Sequence, residues 1–212
     1  MPDQDSSAES RWAKATSRAQ GLADLGLEAA VRRYFLIYLP LTVTAALVVG
    51  FVLAFLWPEV ADGFVRSGFF FGSLLSGLGL VIVGMVYGSK RLSALVRPSR
   101  IGVTVGLTAE EAKHIRRQVL AKEPIDPQHI TVLRGTAVQM REGLAKQLLW
   151  SPGFLIYFAG QFLLRGTVTV FDIVMNVLLL GMFVLLFFVA RQFHQTGVFL
   201  TSTAASEAGN AG

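Results

Sequence analysis

The sequence predicts an all-α polytopic membrane protein: four transmembrane helices in two hairpins, with a cytoplasmic helical insertion between them. Three observations carry this prediction. Hydrophobic residues make up 53% of the 212 and charged residues only 16%, where a soluble domain carries about 25% charged. The apolar residues are gathered into long runs that cross-membrane helices require. Basic residues crowd the one long polar stretch between the runs, the pattern that orients a membrane protein. The composition disfavours a water-soluble enzyme. With no Cys there is no disulfide, thiolate metal site or thiol nucleophile. The formal net charge of +5 suits anionic lipid better than nucleic acid, because the basic residues flank apolar runs.

Residues 1–33 read as a cytoplasmic N-terminal segment. The polar, acidic stretch 1–10 is expected to be disordered. From Arg11 to Arg33, Trp12, Ala15, Ala19, Leu22 and Leu25 recur at helical spacing among basic residues. Two readings are open: an amphipathic helix lying on the membrane surface, or a solvated leader fraying at Gly21 and Gly26. About 30 polar residues before the first apolar run also make a cleavable signal peptide the poorer reading.

The first hairpin is placed at 34–88. Its first span, Tyr34 to Trp57, has no charge and 14 Leu, Ile, Val or Phe residues, worth roughly -4 to -8 kcal/mol for insertion. Pro40 is expected to kink it near the entry side, and Trp57 and Pro58 to mark its exit. The second span, about Ser67 to Gly88, is rich in small residues. At about 100° per residue, Gly68, Gly72, Ser76 and Gly79 fall on one face, and Ser73, Gly77, Gly84 and Gly88 on the opposite one. Small residues spaced by four let helix backbones approach closely, so these positions are the candidate helix-packing residues.

Residues 89–147 form the cytoplasmic helical hairpin. Thr108 and Glu111 make a capping box that starts a helix expected over about 109–122, and Asp126–Pro127 starts a second that continues to about Lys146. Ala112, Ile115 and Val119 form an apolar stripe in the first, and Ile130, Leu133, Ala137, Met140 and Leu144 in the second. Each stripe is available to the other, to a partner or to the membrane. Arg116, Arg117, Lys122, Arg134, Arg141 and Lys146 are candidate contacts for anionic lipid or a protein partner.

The second transmembrane hairpin is placed at 148–190. Its first span, 148–164, is short and interrupted by Pro152, Gly153, Gly160 and Gln161, with Ser151–Pro152 reading as a helix start. Its second, about Val168 to Ala190, holds 16 Leu, Ile, Val or Phe residues. Asp172 lies in its first turn, near Arg165, with Asn176 one turn on; these two are the candidate intramembrane polar site. The helix-end reading, a carboxylate favoured by the macrodipole, weighs more than a proton relay. Residues 191–212 are a cytoplasmic tail, expected to be disordered after Gly197.

The region 88–147 carries 11 basic and five acidic residues, while the two opposite connections carry only Arg66 and Arg165. The positive-inside rule therefore puts the insertion and both termini in the cytoplasm of a cell-membrane protein. No catalytic pattern appears: His114, His129 and His194 lack zinc spacing, and the span glycines lack a nucleotide-loop context. No cofactor, nucleic acid or small-molecule ligand is implied. The expectation is a non-enzymatic scaffold or accessory subunit that associates with itself or a partner through the second span. The alternative is a channel or transporter subunit whose pore or site forms between protomers, favoured by Pro40, Pro152 and Gly160.

Overall fold

A computed structural model describes residues 3–57, 60, 63–96, 102–161 and 170–210, with only the backbone described for 3–7, 171, 172 and 206–210. Among the described residues all regular structure is helical, joined by two isolated bridges, Asp24 with Val96 and Val105 with Leu107. Six helices are numbered here: α1 (Asp3–Ala19), α2 (Leu27–Leu56), α3 (Phe64–Leu95), α4 (Ala109–Val119), α5 (Ile130–Gln161) and α6 (Val170–Asn210). Three stretches are long and apolar enough to cross a membrane: Leu27–Leu56, Phe64–Leu95 and, within α6, Ile173–Ala205. The expected span 148–164 is not among them. Residues 148–161 are the second half of α5, and 162–164 lie outside the described residues.

Proline shapes α2 and α5 differently. Pro40 lacks an N–H and its ring clashes with the carbonyl four residues back. The chain answers with a π-helical stretch over Tyr34–Tyr38, where the Leu39 amide donates to the Tyr34 carbonyl five residues back. Pro152 sits inside α5, which runs without a break from Ile130 to Gln161. Ser151–Pro152 is thus no helix start, and the helix expected to stop near Lys146 goes on. The Ser151 hydroxyl instead donates back to the Gln147 carbonyl, at 2.6 Å.

The chain divides into two compact units: the first holds residues 1–27, 91–144 and 191–212, the second 28–90 and 145–190. The first unit has a side-chain core. Ala15 and Ala19 of α1, Val103, Ile115 and Val119, then Val132, Leu133 and Ala137 of α5, and Phe199 of α6 are all buried together, with Trp12, Leu22, Ile130, Met140 and Leu200 packed against them. Burying one such Val or Leu fully contributes about 1.5–3 kcal/mol. The two hairpin stripes therefore face each other, as one of the open options had it. Three expectations are corrected here. The Trp12, Ala15, Ala19 stripe packs on the hairpin rather than on a membrane surface, with Gly135 of α5 lacking the Cβ that would crowd Ala19. Residues 3–10 are the start of α1 rather than a disordered leader. The chain after Gly197 is helical to Asn210, because Phe199 and Thr203 are buried in this unit.

The second unit is held by close backbone approach. A Cβ on Gly50 of α2 would run into the backbone of Gly72 of α3, and one on Gly72 would press on Leu47. Tyr34 is fully buried and donates to the Leu80 carbonyl at 3.3 Å, and Tyr87 donates to the Ala30 carbonyl at 3.1 Å. The Tyr87 ring also packs against those of Tyr34 and Tyr38, its centroid 5.5 and 5.0 Å from theirs. On the other side of α3, a Cβ on Gly77 would stand 2.8 Å from the Gly153 carbonyl oxygen, and one on Gly84 would stand 2.9 Å from that of Leu149. The α6 residues of this unit are mostly exposed, with Val170, Leu180 and Phe187 at 65–79%.

Candidate functional site

The exposed basic face lies on α4 and its flanks. Thr108 caps the helix: its hydroxyl accepts from the Glu111 amide at 3.3 Å, and the Glu111 carboxylate accepts from the Thr108 amide at 2.7 Å. The helix ends at Val119, short of the expected 122, and Ala121 takes a left-handed φ of 55°. The Ala121 amide donates to the Gln118 carbonyl and the Lys122 amide to that of Arg117, which is a Schellman closure with alanine where glycine is usual. With Ile115 and Val119 buried, Lys113, Arg116 and Arg117 are left exposed, and Lys122 is exposed beyond the turn. Arg117 pairs with Glu123 at 3.0 Å.

The other candidate cations lie elsewhere. Arg134 and Lys146 are half-buried, and Lys146 packs its stem where a Cβ on Gly88 would lie 3.4 Å away. Arg141 is not a surface contact. It is 7% exposed, pairs with Asp24, and stacks its guanidinium 4.7 Å above the Phe193 ring. Asp24 in turn accepts from the Gly26 and Leu27 amides at 3.0 and 2.8 Å, so one carboxylate starts α2 and holds Arg141. Gly197 leaves the room that the guanidinium fills. Sequence reading missed this pair: Asp24-Leu-Gly is at most a local turn pattern, and nothing in it points to a residue 117 positions away.

Two histidines are paired with carboxylates in the first unit. The Nδ1 of His114 lies 2.9 Å from the Glu123 carboxylate, and that of His129 lies 2.8 Å from Asp126. The Trp12 ring lies against His129 with centroids 3.8 Å apart. Hydrogen bonding from His129 and then from the Gln128 amide holds the Asp126 carboxyl below its ordinary range. The Thr108 amide, helped by Arg11 at 3.2 Å, does the same for Glu111 against a smaller opposing effect of burial. No three His, Asp or Glu groups converge for a metal ion among the described residues, and His194 is exposed on α6.

The small residues of α3 divide between two neighbours. Gly68, Gly72, Ser76 and Gly79 meet Phe51, Leu47, the Val43 carbonyl and Thr42 of α2. Ser73, Gly77 and Gly84 meet Gly160, Gly153 with Tyr157, and Leu149 with Trp150 of α5. Both stripes are therefore filled within the chain. Asn176 is exposed on α6, while the Asp172 side chain and Arg165 lie outside the described residues. Comparison of the chain with protein-family models, curated proteins and solved structures found no match.

Proposed function

We propose that the chain is a non-enzymatic accessory subunit of the cell membrane, with four spans, both termini cytoplasmic and the first unit facing the cytoplasm. In this reading the first unit displays Arg116, Arg117 and Lys122 to a partner subunit at the inner leaflet, where anionic headgroups add about 1 kcal/mol per nearby charge. The observation that carries it is the division of α4 into a buried side, Ile115 and Val119, and an exposed basic one. A helix so built keeps its fold while offering its charges to another molecule.

The partner surface moves relative to the sequence expectation. Self-association through α3 would require its glycine faces to leave α2 and α5, so the apolar surface of α6 is the better intramembrane contact. Reporters fused after residues 62, 120, 167 and 205 test the topology: the second and fourth are expected inside, the first and third outside. Crosslinking in native membranes tests the partner role. A neighbour is expected with the wild type and lost with the triple variant Arg116→Glu, Arg117→Glu, Lys122→Glu; capture unaffected by the three reversals would overturn the basic face as the docking element.

A channel or transporter subunit is the second reading, and Pro152 within α5 speaks for it. Against it stands the open cavity of about 350 Å³ beside Gly77 and Gly153, whose other walls are Leu78, Val81, Phe154, Tyr157 and Phe158. Those walls offer one phenol and no ordinary charge to an ion. Solute flux into proteoliposomes that is abolished by Asn176→Leu would favour this second reading.

A further inference from the structure

We propose that the first unit holds a binding pocket for a small organic cation, an alkyl guanidinium or ammonium, beside Trp12 and between α4 and the start of α5. The cavity measures about 220 Å³ and is walled by Trp12, Glu111, His114, Gln118, Asp126 and His129, with Ile115 and Leu133 beneath. Pockets for drug-sized ligands run to about 300–1,000 Å³, so the occupant is smaller.

The chemistry of the walls selects the charge. Each histidine keeps its Nδ1 against a carboxylate, His114 against Glu123 and His129 against Asp126. Glu111 and Asp126 are ionised, and a carboxylate has about four lone-pair sites, more than their present partners use. Across the paired groups, the carboxylates of Glu111, Glu123 and Asp126 outnumber the guanidiniums of Arg11 and Arg117. An anion would meet the carboxylates of Glu111 and Asp126 in the pocket wall. A neutral apolar molecule would leave those acceptors without donors, which costs affinity. A donor-rich cation satisfies them, while Ile115 and Leu133, 3% and 0% exposed, and the indole of Trp12 receive a short apolar body. A metal ion is the poorer occupant, because no three ligating groups converge among the described residues.

The test uses the full chain in detergent, with the indole N–H resonance of Trp12 as the reporter and Trp57 and Trp150 as internal controls. The probe is n-butylguanidinium, with n-butanol and butyrate of matching size as comparisons. A saturable shift confined to Trp12 is expected, at about millimolar Kd for a ligand of this size, and weakened about tenfold by Glu111→Gln. That variant keeps an acceptor for the Thr108 amide, and a cooperative circular-dichroism melt above the assay temperature shows that the unit still folds. Asp126→Asn, which retains a capping oxygen, provides a second variant with the same expected loss. Three outcomes would each overturn the proposal: no saturation at about ten times that concentration, equal shifts with n-butanol or butyrate, or full affinity in both variants.

Discussion

In the first unit helices meet through side chains: Trp12, Ile115, Leu133 and Phe199 interlock, and Arg141 is clasped between Asp24 and Phe193. In the second they meet through backbone, with Gly50 against Gly72 and Gly77 against Gly153. On the topology proposed above, the difference follows from what drives association in each solvent. Where water is the alternative, burying large apolar side chains is favourable in itself. Where lipid is the alternative, it offers the same apolar contact as a neighbour would, so helices gain mainly by coming close. The two units should therefore fail in different ways when challenged.

The largest effect is expected in the clasp. Arg141→Ala leaves Asp24, whose side chain is 12% exposed, without its counter-charge, a loss of about 3 kcal/mol, which a chemical-denaturation curve of the first unit would register. The double change Arg141→Met with Asp24→Leu should recover most of it, since removing both charges avoids the unpaired one. Next comes the backbone contact: Gly77→Leu should cost about 1–3 kcal/mol by overpacking, read as a lower melting temperature in detergent. Gly181→Leu, on a helix where a Cβ meets open space, should leave the melt unchanged. If both substitutions behave alike, the backbone-contact account of the second unit is wrong.

A smaller gain is expected from Ala121→Gly. The left-handed conformation costs an L-residue about 1–2 kcal/mol, and glycine removes that strain, so the first unit should unfold at higher denaturant. Acidification gives the gentlest probe. The folded-state carboxyls of Glu111 and Asp126 sit below their usual 4.5 and 3.8, so the stability they add is present above those values. It is lost as pH falls through the lower folded values. Melts of the first unit at pH 7 and pH 3 should separate, and Glu111→Gln should narrow the gap.

How much of this was legible follows the same division. The register of α3 could be read because small residues at four-residue spacing have one packing meaning whatever their partner, and only the identity of that partner was hidden. The capping box at Thr108 and the N-cap at Asp126 were legible as local chemistry. The destination of α1 was not. A Trp12, Ala15, Ala19 stripe beside basic residues suits a membrane surface and a helical core equally, and its contacts come from residues about 100 positions away. The helical tail was hidden for a related reason: Phe199 and Thr203 are too few in a polar stretch to announce a buried face. Pro152 misled because Ser-Pro commonly opens a helix, whereas here the neighbouring Gly153 is pressed against Gly77 and the helix continues through.

The length of α6 bears on any fusion made to this chain. Forty-one residues at 1.5 Å each give a rod of about 60 Å, twice the roughly 30 Å of hydrocarbon in a bilayer. Even at a tilt of about 40° the bilayer interior takes up only some two-thirds of it. A fluorescent protein or affinity handle fused directly after Asn210 would thus follow a helix instead of a slack tether, and its placement would be set by helical phase, so adding or deleting one residue ahead of it should turn it by about 100°.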